Sequence, residues 1–392
     1  MTTVQANPVE PAVERPGSPA SAPLFVFAGG GTGGHLYPAL AVAQALRARL
    51  KSVRVVFFGT ERAIDAQVLA HAGESLVPQG VRPLTLRPWR MPGFLRAWRE
   101  AVQRCRTYFA THRPAMVIGT GGFASAPAIR VAAHRGIPTA LMNPDLVPGK
   151  ANRYLARSVE CIFAQFEETR RHFPTGTWVE AAGCPVRPAF RTAIRAASYP
   201  VFELDPNKKT LLVTGASLGA RSVNAACVQL APALAEQADW QVLHLAGRED
   251  VEHVRAAYAA AGVAARVLAY TEQMPAAMAV ADLMVARAGA STIAEILAAA
   301  VPAVLLPYPH HRDRHQLAHA LLLERHGVAI TCLDAAEGEK TAETLRGPLT
   351  ALMANEGRRA QMRLAARALD HPNAAERIAR RVLELAGCPA ST

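Results

Sequence analysis

Three glycine-rich turns, each placed directly after a short apolar run, constrain the fold of this chain more than any other feature. They are Gly29–His35, Gly119–Ser125 and Gly215–Arg221. Stretches with the apolar spacing of helices follow them, and further short apolar runs such as Val53–Phe58 lie between them. Strands that alternate with helices through glycine turns are typical of a parallel sheet with helices on both faces. We therefore predict an α/β chain built on doubly wound parallel sheets.

The pattern of strands, turns and helices starts again after residues 199–209, which contain prolines, an asparagine and lysines. A chain of 392 residues is also longer than one ordinary core requires. We predict two Rossmann-like domains facing a cleft, with ligands at the carboxyl ends of the strands. The predicted segments are a disordered tail over 1–22, a first domain over 23–195, a second domain over 196–370, and a C-terminal helix over 371–392 that packs back on the first domain.

Composition narrows the cellular setting of the chain. No uncharged apolar run reaches the roughly 18 residues that span a bilayer, and the N-terminal segment lacks the basic and apolar regions of a secretory signal. The six cysteines lie far apart without a C-x-x-C pair, which indicates reduced thiols in a cytoplasm. The formal charge of +12 fits nucleic acid, an anionic membrane surface or a simple arginine bias, and composition leaves these explanations open.

The first glycine turn follows a strand and opens a helix, an arrangement that offers backbone N–H groups and the helix dipole to a phosphate or a developing anion. The turn also contains G-x-G-x-x-G, the pattern of dinucleotide sites. That pattern needs an acidic residue at the end of the second strand, whereas Glu61 comes three residues after Phe58. We favour a phosphate or sugar site, with a dinucleotide site as the alternative. The sequence has no G-x-x-x-x-G-K-[ST] loop, so we do not expect ATP hydrolysis.

The residues around the first turn carry a resemblance to a known family. Gly30–His35, followed by Pro38–Ala41, resembles the amino-terminal signature of the MurG family of N-acetylglucosaminyltransferases. Further matching motifs are Gly119–Phe123, Gly183–Arg187, Ser217–Arg221, Arg287–Glu295 and Pro307–Gln316. The resemblance implies a GT-B fold and an inverting transfer of GlcNAc from UDP-GlcNAc to lipid I, which gives lipid II in peptidoglycan synthesis. It also implies that no metal or cofactor is needed, and the sequence agrees by containing no D-x-D triplet.

Candidate site residues follow from the same motifs. A hydroxyl that attacks an anomeric carbon needs a base, and the imidazole of His35 is suited to that role. The resemblance implies substrate contacts for Thr32, Gly33, Gly34 and Asp145 at the sugars, Arg187 and Ser217 at the pyrophosphate, Thr271 at the uracil, Ala290, Ser291, Thr292, Ile293, Ala294 and Glu295 at the diphosphate and ribose, and Gln316 at the GlcNAc. The alternatives are a helix-capping or core histidine for His35 and a solvated helix residue for Glu295.

Two segments depart from the family pattern. Met142–Asp145 stands where the family usually has His-Glu-Gln-Asn, so that Asp145 aligns with an asparagine that touches the donor sugar. Leu218 stands where the family usually has glutamine. Two other functions therefore stay open. One is another GT-B enzyme, such as a glycolipid glycosyltransferase or a UDP-GlcNAc 2-epimerase, and the other is a nucleotide-sugar-binding protein without catalysis.

Residues 82–109 mix arginines with leucine, phenylalanine and tryptophan. One interpretation is an amphipathic helix packed on the sheet. The other is a patch that holds the protein on an anionic membrane surface, at the cytoplasmic face of the inner membrane, where each cation contributes about 1 kcal/mol. That position matches the membrane-facing patch of the family, and no recognition motif supports nucleic acid.

His311, His315 and His319 have a spacing that would suit a metal if one helix carried all three. Pro309 just upstream indicates that a loop precedes the helix. We therefore expect these histidines at the start of a helix near the donor sugar, and we predict no metal site.

Overall fold

The computed structural model describes residues 21–31, 33–82, 87–215, 219–310 and 313–388. Contacts between residues divide the chain into two compact units, of which unit 1 is 1–185 with 373–392 and unit 2 is 186–372. The tail predicted over 1–22 lies almost wholly outside the described residues.

Unit 1 is a parallel sheet covered by helices on both faces. Its strands are β1 (Leu24–Gly29), β2 (Arg54–Thr60), β3 (Ser75–Gln79), β4 (Met116–Gly121), β5 (Thr139–Asn143), β6 (Cys161–Ala164) and β7 (Val179–Ala181). Its first helices are α1 (Gly33–Arg49), α2 (Ala63–His71), α3 (Met91–Thr111), α4 (Ala126–His134) and α5 (Lys150–Leu155). The strand order is β3-β2-β1-β4-β5-β6-β7. The neighbours Phe25 and Val26 are both fully buried, in separate core clusters, because both faces of the sheet are covered.

Unit 2 repeats this plan. Its strands are β8 (Lys209–Thr214), β9 (Trp240–Leu245), β10 (Ala265–Leu268), β11 (Leu283–Ala286), β12 (Ala303–Leu305) and β13 (Ala329–Thr331), in the order β10-β9-β8-β11-β12-β13. Its helices are α6 (Ala189–Thr192), α7 (Arg195–Ser198), α8 (Arg221–Gln229), α9 (Ala231–Ala235), α10 (Val251–Ala261), α11 (Met274–Val280), α12 (Ala290–Ala299), α13 (His315–Arg325), α14 (Gly338–Ala354) and α15 (Glu356–Leu369). Leu212 and Val213, which are neighbours in β8, are both fully buried.

Both sheets have a switch point where the strand order reverses, between β1 and β4 in unit 1 and between β8 and β11 in unit 2. Ligands of such sheets bind beyond the carboxyl ends of the strands at this point. The strands β1, β4 and β8, which precede the three glycine turns in the chain, all border a switch point. The prediction of doubly wound parallel sheets is confirmed.

The chain changes from unit 1 to unit 2 between residues 185 and 186. The boundary predicted at 195 therefore lies inside unit 2, because α6 and α7 pack on helices of that unit. An ion pair fixes α6 there, with Arg191 Nη2 lying 2.7 Å from Asp370 Oδ1. The stretch 199–209, after which the pattern of strands and helices starts again, follows two helices that already belong to unit 2.

The last helix, α16 (Ala374–Leu385), belongs to unit 1. It packs against α1, and Ile378, Ala379 and Val382 are buried in one of the core clusters of unit 1. The end of the chain thus completes one face of the first sheet.

Candidate active site

The first candidate group is His35, in the first turn of α1. Its Nδ1 lies 3.1 Å from the carbonyl oxygen of Gly30. A carbonyl oxygen only accepts hydrogen bonds, so Nδ1 carries the hydrogen of the neutral ring and Nε2 carries the lone pair. This tautomer is the one in which Nε2 can take a proton from a hydroxyl.

The second glycine turn makes room for this ring. A Cβ atom at Gly121 would lie 3.1 Å from both Cδ2 and Nε2 of His35, and one at Gly122 would lie 3.4 Å from Cε1. Both glycines also have positive φ, at +113° and +74°, which a side chain would strain. The glycines of the motif that begins at Gly119 are therefore needed for the imidazole of His35 to pack against the backbone at the end of β4. The sequence alone did not reveal this role of the motif.

The first glycine turn is hydrogen-bonded to Asp65, a fully buried residue of α2. Gly31 N donates to Asp65 Oδ1 at 2.7 Å, and both the backbone N and Oγ1 of Thr60 donate to Oδ2, at 2.7 and 2.8 Å. A Cβ atom at Gly30 would lie only 2.2 Å from Oδ2. Sequence reasoning missed Asp65 because its partner Gly31 is distant in the chain. The one available signal was an acidic residue soon after the second strand.

Three other predicted residues belong to the same end of the sheet. Gly33 and Gly34 are the first two residues of α1, whereas Thr32 lies outside the described residues. Gly34, Thr120, Asn143, Pro144, Gly183 and Cys184 contribute to the lining of a small cavity in unit 1. Asp145 is half-buried just beyond the end of β5.

The Met142–Asp145 departure forms an ordered turn. Met142 is buried in the core, and the buried Asn143 donates from Nδ2 to the carbonyl oxygen of Asp145 at 2.6 Å. Asn152 Nδ2 in turn donates to Asn143 Oδ1 at 2.9 Å. Asn143 therefore fixes the backbone that carries Asp145.

In unit 2 the central element is α12, which begins after Gly289 at the end of the β11 turn. Its first intrahelical bond runs from Ile293 N to Gly289 O, so the N–H groups of the preceding turn have no acceptor within the helix. Ala290, Ser291 and Thr292 are partly exposed, whereas the side chains of Ile293 and Ala294 are buried. The first turn thus offers backbone donors and a partial positive charge to an anion.

Glu295 follows on the same helix and is half-buried. Burial raises the pKa of Glu295 to about 7, and the positive charge of Arg187 acts in the opposite direction. The alternative of a fully solvated helix residue is therefore wrong. A carboxyl group in this state can accept hydrogen bonds from hydroxyls once it is ionised.

Arg187, Thr271 and Gln316 are also in unit 2. Arg187 Nη1 lies 3.5 Å from the carbonyl oxygen of Glu272, in the loop after β10 that carries Thr271. Gln316, in the first turn of α13, accepts from the backbone N of Tyr308 at 2.9 Å through Oε1. Ser217 lies outside the described residues, as does the departure at Leu218.

The histidines of α13 have other partners. His319 is buried, with Nδ1 2.8 Å from the carbonyl oxygen of Ala288, and this contact ties α13 to the turn before α12. His315 Nδ1 lies 2.7 Å from Asp313 Oδ1. Among the residues that the structure describes, no group of three or more His, Cys, Asp or Glu side chains could hold a metal ion, and His311 is outside those residues.

A buried ion pair that sequence reasoning missed supports this part of unit 2. Arg287 Nη1 lies 2.6 Å from Asp334 Oδ2, and Ser222 Oγ donates to the same oxygen at 2.7 Å. Burial alone would raise the pKa of Asp334. The hydrogen bond from Ser222 and the charge of Arg287 outweigh burial and lower this pKa. Arg287 Nη1 also donates to the carbonyl oxygen of Leu306, so the group joins the ends of β11 and β12 to the start of α8. Its sequence signal was the arginine that opens the 287–295 motif.

The outer face of α3 is a second candidate surface. Ala97, Ala101, Cys105 and Phe109, spaced four residues apart, form its buried face. Trp89, just before α3, is 73% exposed, and Leu95 is 43% exposed. Trp98 instead packs partly against the core and stacks on Phe94, with ring centroids 6.3 Å apart. The helix therefore packs on the sheet with one face and presents apolar and basic side chains on another.

Within the described ranges, no helix has both the length and the apolar character needed to cross a membrane. Residues 83–86, part of the predicted surface segment, lie outside those ranges.

Comparisons with known proteins agree with the two-unit architecture. Residues 25–164 match the model of the glycosyltransferase family 28 N-terminal domain, and residues 210–378 match that of the glycosyltransferase family 28 C-terminal domain. The chain is 35% identical over 370 residues to a protein of Moorella thermoacetica, in a match that covers 92% of this chain and 98% of the relative. That relative is named UDP-N-acetylglucosamine--N-acetylmuramyl-(pentapeptide) pyrophosphoryl-undecaprenol N-acetylglucosamine transferase.

Solved structures of similar proteins also match nearly the whole chain. The crystal structure of Acinetobacter baumannii MurG has a TM-score of 0.71 and 27% identity to this chain, covering 92% of it and 99% of that chain. The UDP-GlcNAc 2-epimerase of Neisseria meningitidis, solved with UDP-GlcNAc bound, has a TM-score of 0.66 at 15% identity over 92% of this chain and 99% of its own. At that identity the likeness to the epimerase concerns the fold alone.

Proposed function

The chain belongs to the MurG family within glycosyltransferase family 28, and from that premise we propose that it transfers GlcNAc from UDP-GlcNAc to undecaprenyl-pyrophosphoryl-MurNAc-pentapeptide, or lipid I. Its fold is GT-B, as the resemblance implied. The observation that most supports catalysis is the seat of His35, whose Nδ1 bonds to Gly30 O and whose ring rests on Gly121 and Gly122.

In the proposed reaction, His35 Nε2 removes the proton from the attacking hydroxyl of the acceptor MurNAc. The hydroxyl oxygen then bonds to C1 of GlcNAc while the bond between C1 and the diphosphate oxygen breaks. Attack from the face opposite the diphosphate inverts the configuration at C1. UDP leaves with the electron pair, and His35 later returns its proton to solvent, so no cofactor enters the reaction.

The leaving diphosphate gains negative charge as its bond to C1 breaks, and unit 2 offers positive potential for it. The partly exposed first turn of α12 supplies backbone N–H groups and the helix dipole. Arg187, whose charge already acts on Glu295, supplies a full positive charge. Fixed charge placed where negative charge develops lowers the barrier without any reorganisation.

The remaining predicted residues take roles in binding the donor. Glu295 accepts hydrogen bonds from the ribose hydroxyls, and Thr271 with its neighbouring backbone receives the uracil. Gln316, held by Tyr308 N, binds the GlcNAc. Asp145 faces a sugar hydroxyl as an acceptor, since an ionised carboxylate cannot donate as the amide of an asparagine does.

The acceptor is lipid-linked, so we also assign the outer face of α3 to an anionic membrane surface. Trp89 and Leu95 contribute exposed apolar area, and the exposed Arg90 and Arg99 contribute charge. Apolar insertion combined with attraction to anionic lipid is the usual basis of peripheral attachment. We therefore propose that the enzyme works at the cytoplasmic face of the inner membrane.

The test is turnover of labelled UDP-GlcNAc by the purified protein with a lipid I analogue. We expect a GlcNAc-bearing lipid product and UDP in equal amounts, and His35→Ala serves as the low-activity control. A parallel reaction without acceptor checks for conversion to the 2-epimer. Formation of the epimer without transfer would assign an epimerase, and UDP-GlcNAc binding without either product would assign a binding protein.

A further inference from the structure

One peptide group lies between a buried carboxylate and the imidazole of His35. The carbonyl oxygen of Gly30 accepts the hydrogen bond from His35 Nδ1, with 3.1 Å between the two atoms. The N–H of Gly31, in the same peptide group, donates to Asp65 with distances of 2.7 Å to Oδ1 and 3.0 Å to Oδ2. The three groups therefore form a continuous chain, in the order carboxylate, peptide and imidazole.

Such a chain has an electrical consequence. A carboxylate that accepts from an amide N–H draws the hydrogen towards itself and pushes electron density onto the carbonyl oxygen of that amide. Hydrogen bonds in series strengthen one another by roughly 10–30% per bond, and a low local dielectric makes each of them stronger. Because Asp65 is fully buried, little of its charge is lost to solvent before it reaches Gly30 O.

We propose that Asp65 is a positioning residue that acts on His35 through the Gly30–Gly31 peptide. It fixes the ring in the tautomer with hydrogen on Nδ1, and it stabilises the imidazolium formed when Nε2 takes the acceptor proton. The arrangement corresponds to the carboxylate–histidine pair of hydrolytic triads, with a peptide group inserted between the two side chains. This inference rests on the proposed role of His35 as base.

The surroundings of Asp65 are built for this contact. The carboxylate reaches the peptide because Gly30 and Gly59 have no Cβ atoms, which would lie 2.2 and 3.1 Å from its Oδ2. Thr60 holds Oδ2 through two hydrogen bonds and so sets the orientation of the carboxylate. Arg62 bonds the carbonyl oxygen of Gly31, which belongs to the next peptide and lies outside the chain of three groups.

The test is Asp65→Asn, which keeps the shape of the side chain and removes its charge. We expect kcat to fall about 10-fold or more, on the scale of losing the partner that orients a functional histidine. The KM for UDP-GlcNAc should not change, because the proposed donor contacts lie mainly in unit 2. Arg62→Gln is the matched control, since it removes a contact to Gly31 at 3.1 Å without touching the peptide in question, and its kcat should stay near the wild-type value.

A double-mutant cycle separates positioning from plain support of the loop. If Asp65 acts through His35, Asp65→Asn should lower kcat little further in a His35→Ala background. An equal loss in both backgrounds would overturn the inference and assign Asp65 a structural role. Full activity of His35→Ala itself would instead contradict the proposed base, so the two failures are distinguishable.

Nitrogen chemical shifts of His35 in the labelled protein give a readout that loop support alone does not move. The neutral wild-type ring should carry its hydrogen on Nδ1, and Asp65→Asn should raise the fraction with hydrogen on Nε2. An unchanged tautomer in a folded variant would contradict the proposal. If Asp65→Asn does not fold, Thr60→Val tests the same idea, because it removes the 2.8 Å bond from Oγ1 and leaves the charge. Because Thr60 sets the orientation of the carboxylate, we expect Thr60→Val to lower kcat and to raise the fraction of His35 with hydrogen on Nε2, and an unchanged kcat and tautomer would refute the proposal.

Discussion

Replacing Glu295 by glutamine should remove a pH-dependent part of the stability of the protein. Burial raises the pKa of Glu295 from its usual 4.5 to about 7. Between these values the folded protein holds a proton that the unfolded chain has lost, so the free energy of unfolding falls as the pH rises through this window. Below it the carboxyl is neutral in both states, and above it the folded protein carries a charge that burial disfavours.

The size of the effect follows from the same values. A rise from 4.5 to about 7 corresponds to about 3 kcal/mol, at 1.36 kcal/mol per pKa unit. Glutamine carries no charge at any pH, so the variant lacks this pH-dependent contribution to the free energy of unfolding. The variant should therefore gain stability relative to the wild type as the pH rises from about 5 to about 8, by up to about 3 kcal/mol.

Urea unfolding at several pH values across this range measures the difference directly. Glu343→Gln is a matched control, because Glu343 is exposed on α14 of the same unit and its replacement removes a carboxylate that is not buried. A stability difference between the wild type and Glu295→Gln that stays constant over the range would refute the reasoning.

Three further predictions follow from the site and from α3. His35→Ala should lower turnover by about 10²-fold or more, the scale of losing a general base, with UDP binding retained in calorimetry. Gly121→Ala should lower turnover as well, because its Cβ would lie 3.1 Å from the ring of His35, whereas Gly136→Ala has positive φ but nothing within 4 Å and should cost stability alone. In vesicle sedimentation, serine at Trp89 and Leu95 should weaken binding at every salt concentration, because it removes apolar contact. Replacing Arg90, Arg96 and Arg99 by glutamine should remove mainly the salt-sensitive part of vesicle binding. Wild-type turnover in either site variant, or vesicle binding indifferent to both surface sets, would contradict the corresponding assignment.

The parallel sheets could be predicted because their signal is local. Each strand is a short apolar run, and the three glycine turns come directly after β1, β4 and β8. Helices on both faces bury such runs along their whole length, so alternation within a strand is not needed for recognition. The domain boundary, in contrast, has no local signal in the sequence. It depends on α6 and α7 packing against α11 and α12, which composition near residue 195 does not reveal.

The same distinction applies to the site and to α3. His35 could be found because it lies inside a motif, but Asp65 contacts Gly31 across 34 positions of the chain, and no spacing rule connects them. Residues 82–109 allowed both a helix packed on the sheet and a membrane-facing patch. Trp98 follows the first interpretation, since it packs partly against the core beneath α3.

The glycines of the first turn are required by protein side chains, and this changes what the glycine pattern indicates. A Cβ atom at Gly29 would lie 2.1 Å from Thr120 Oγ1, and one at Gly30 would lie 2.2 Å from Asp65 Oδ2. These close approaches fix the backbone to which His35 is bonded. A base that must meet a hydroxyl in one orientation depends on such support, because a misplacement of about 1 Å can cost about 10²-fold in rate. The pattern is therefore evidence for a held imidazole as much as for a phosphate. A chain with these glycines but without a carboxylate at position 65 should fold and bind donor. Its histidine at position 35 should, however, be poorly oriented toward the attacking hydroxyl.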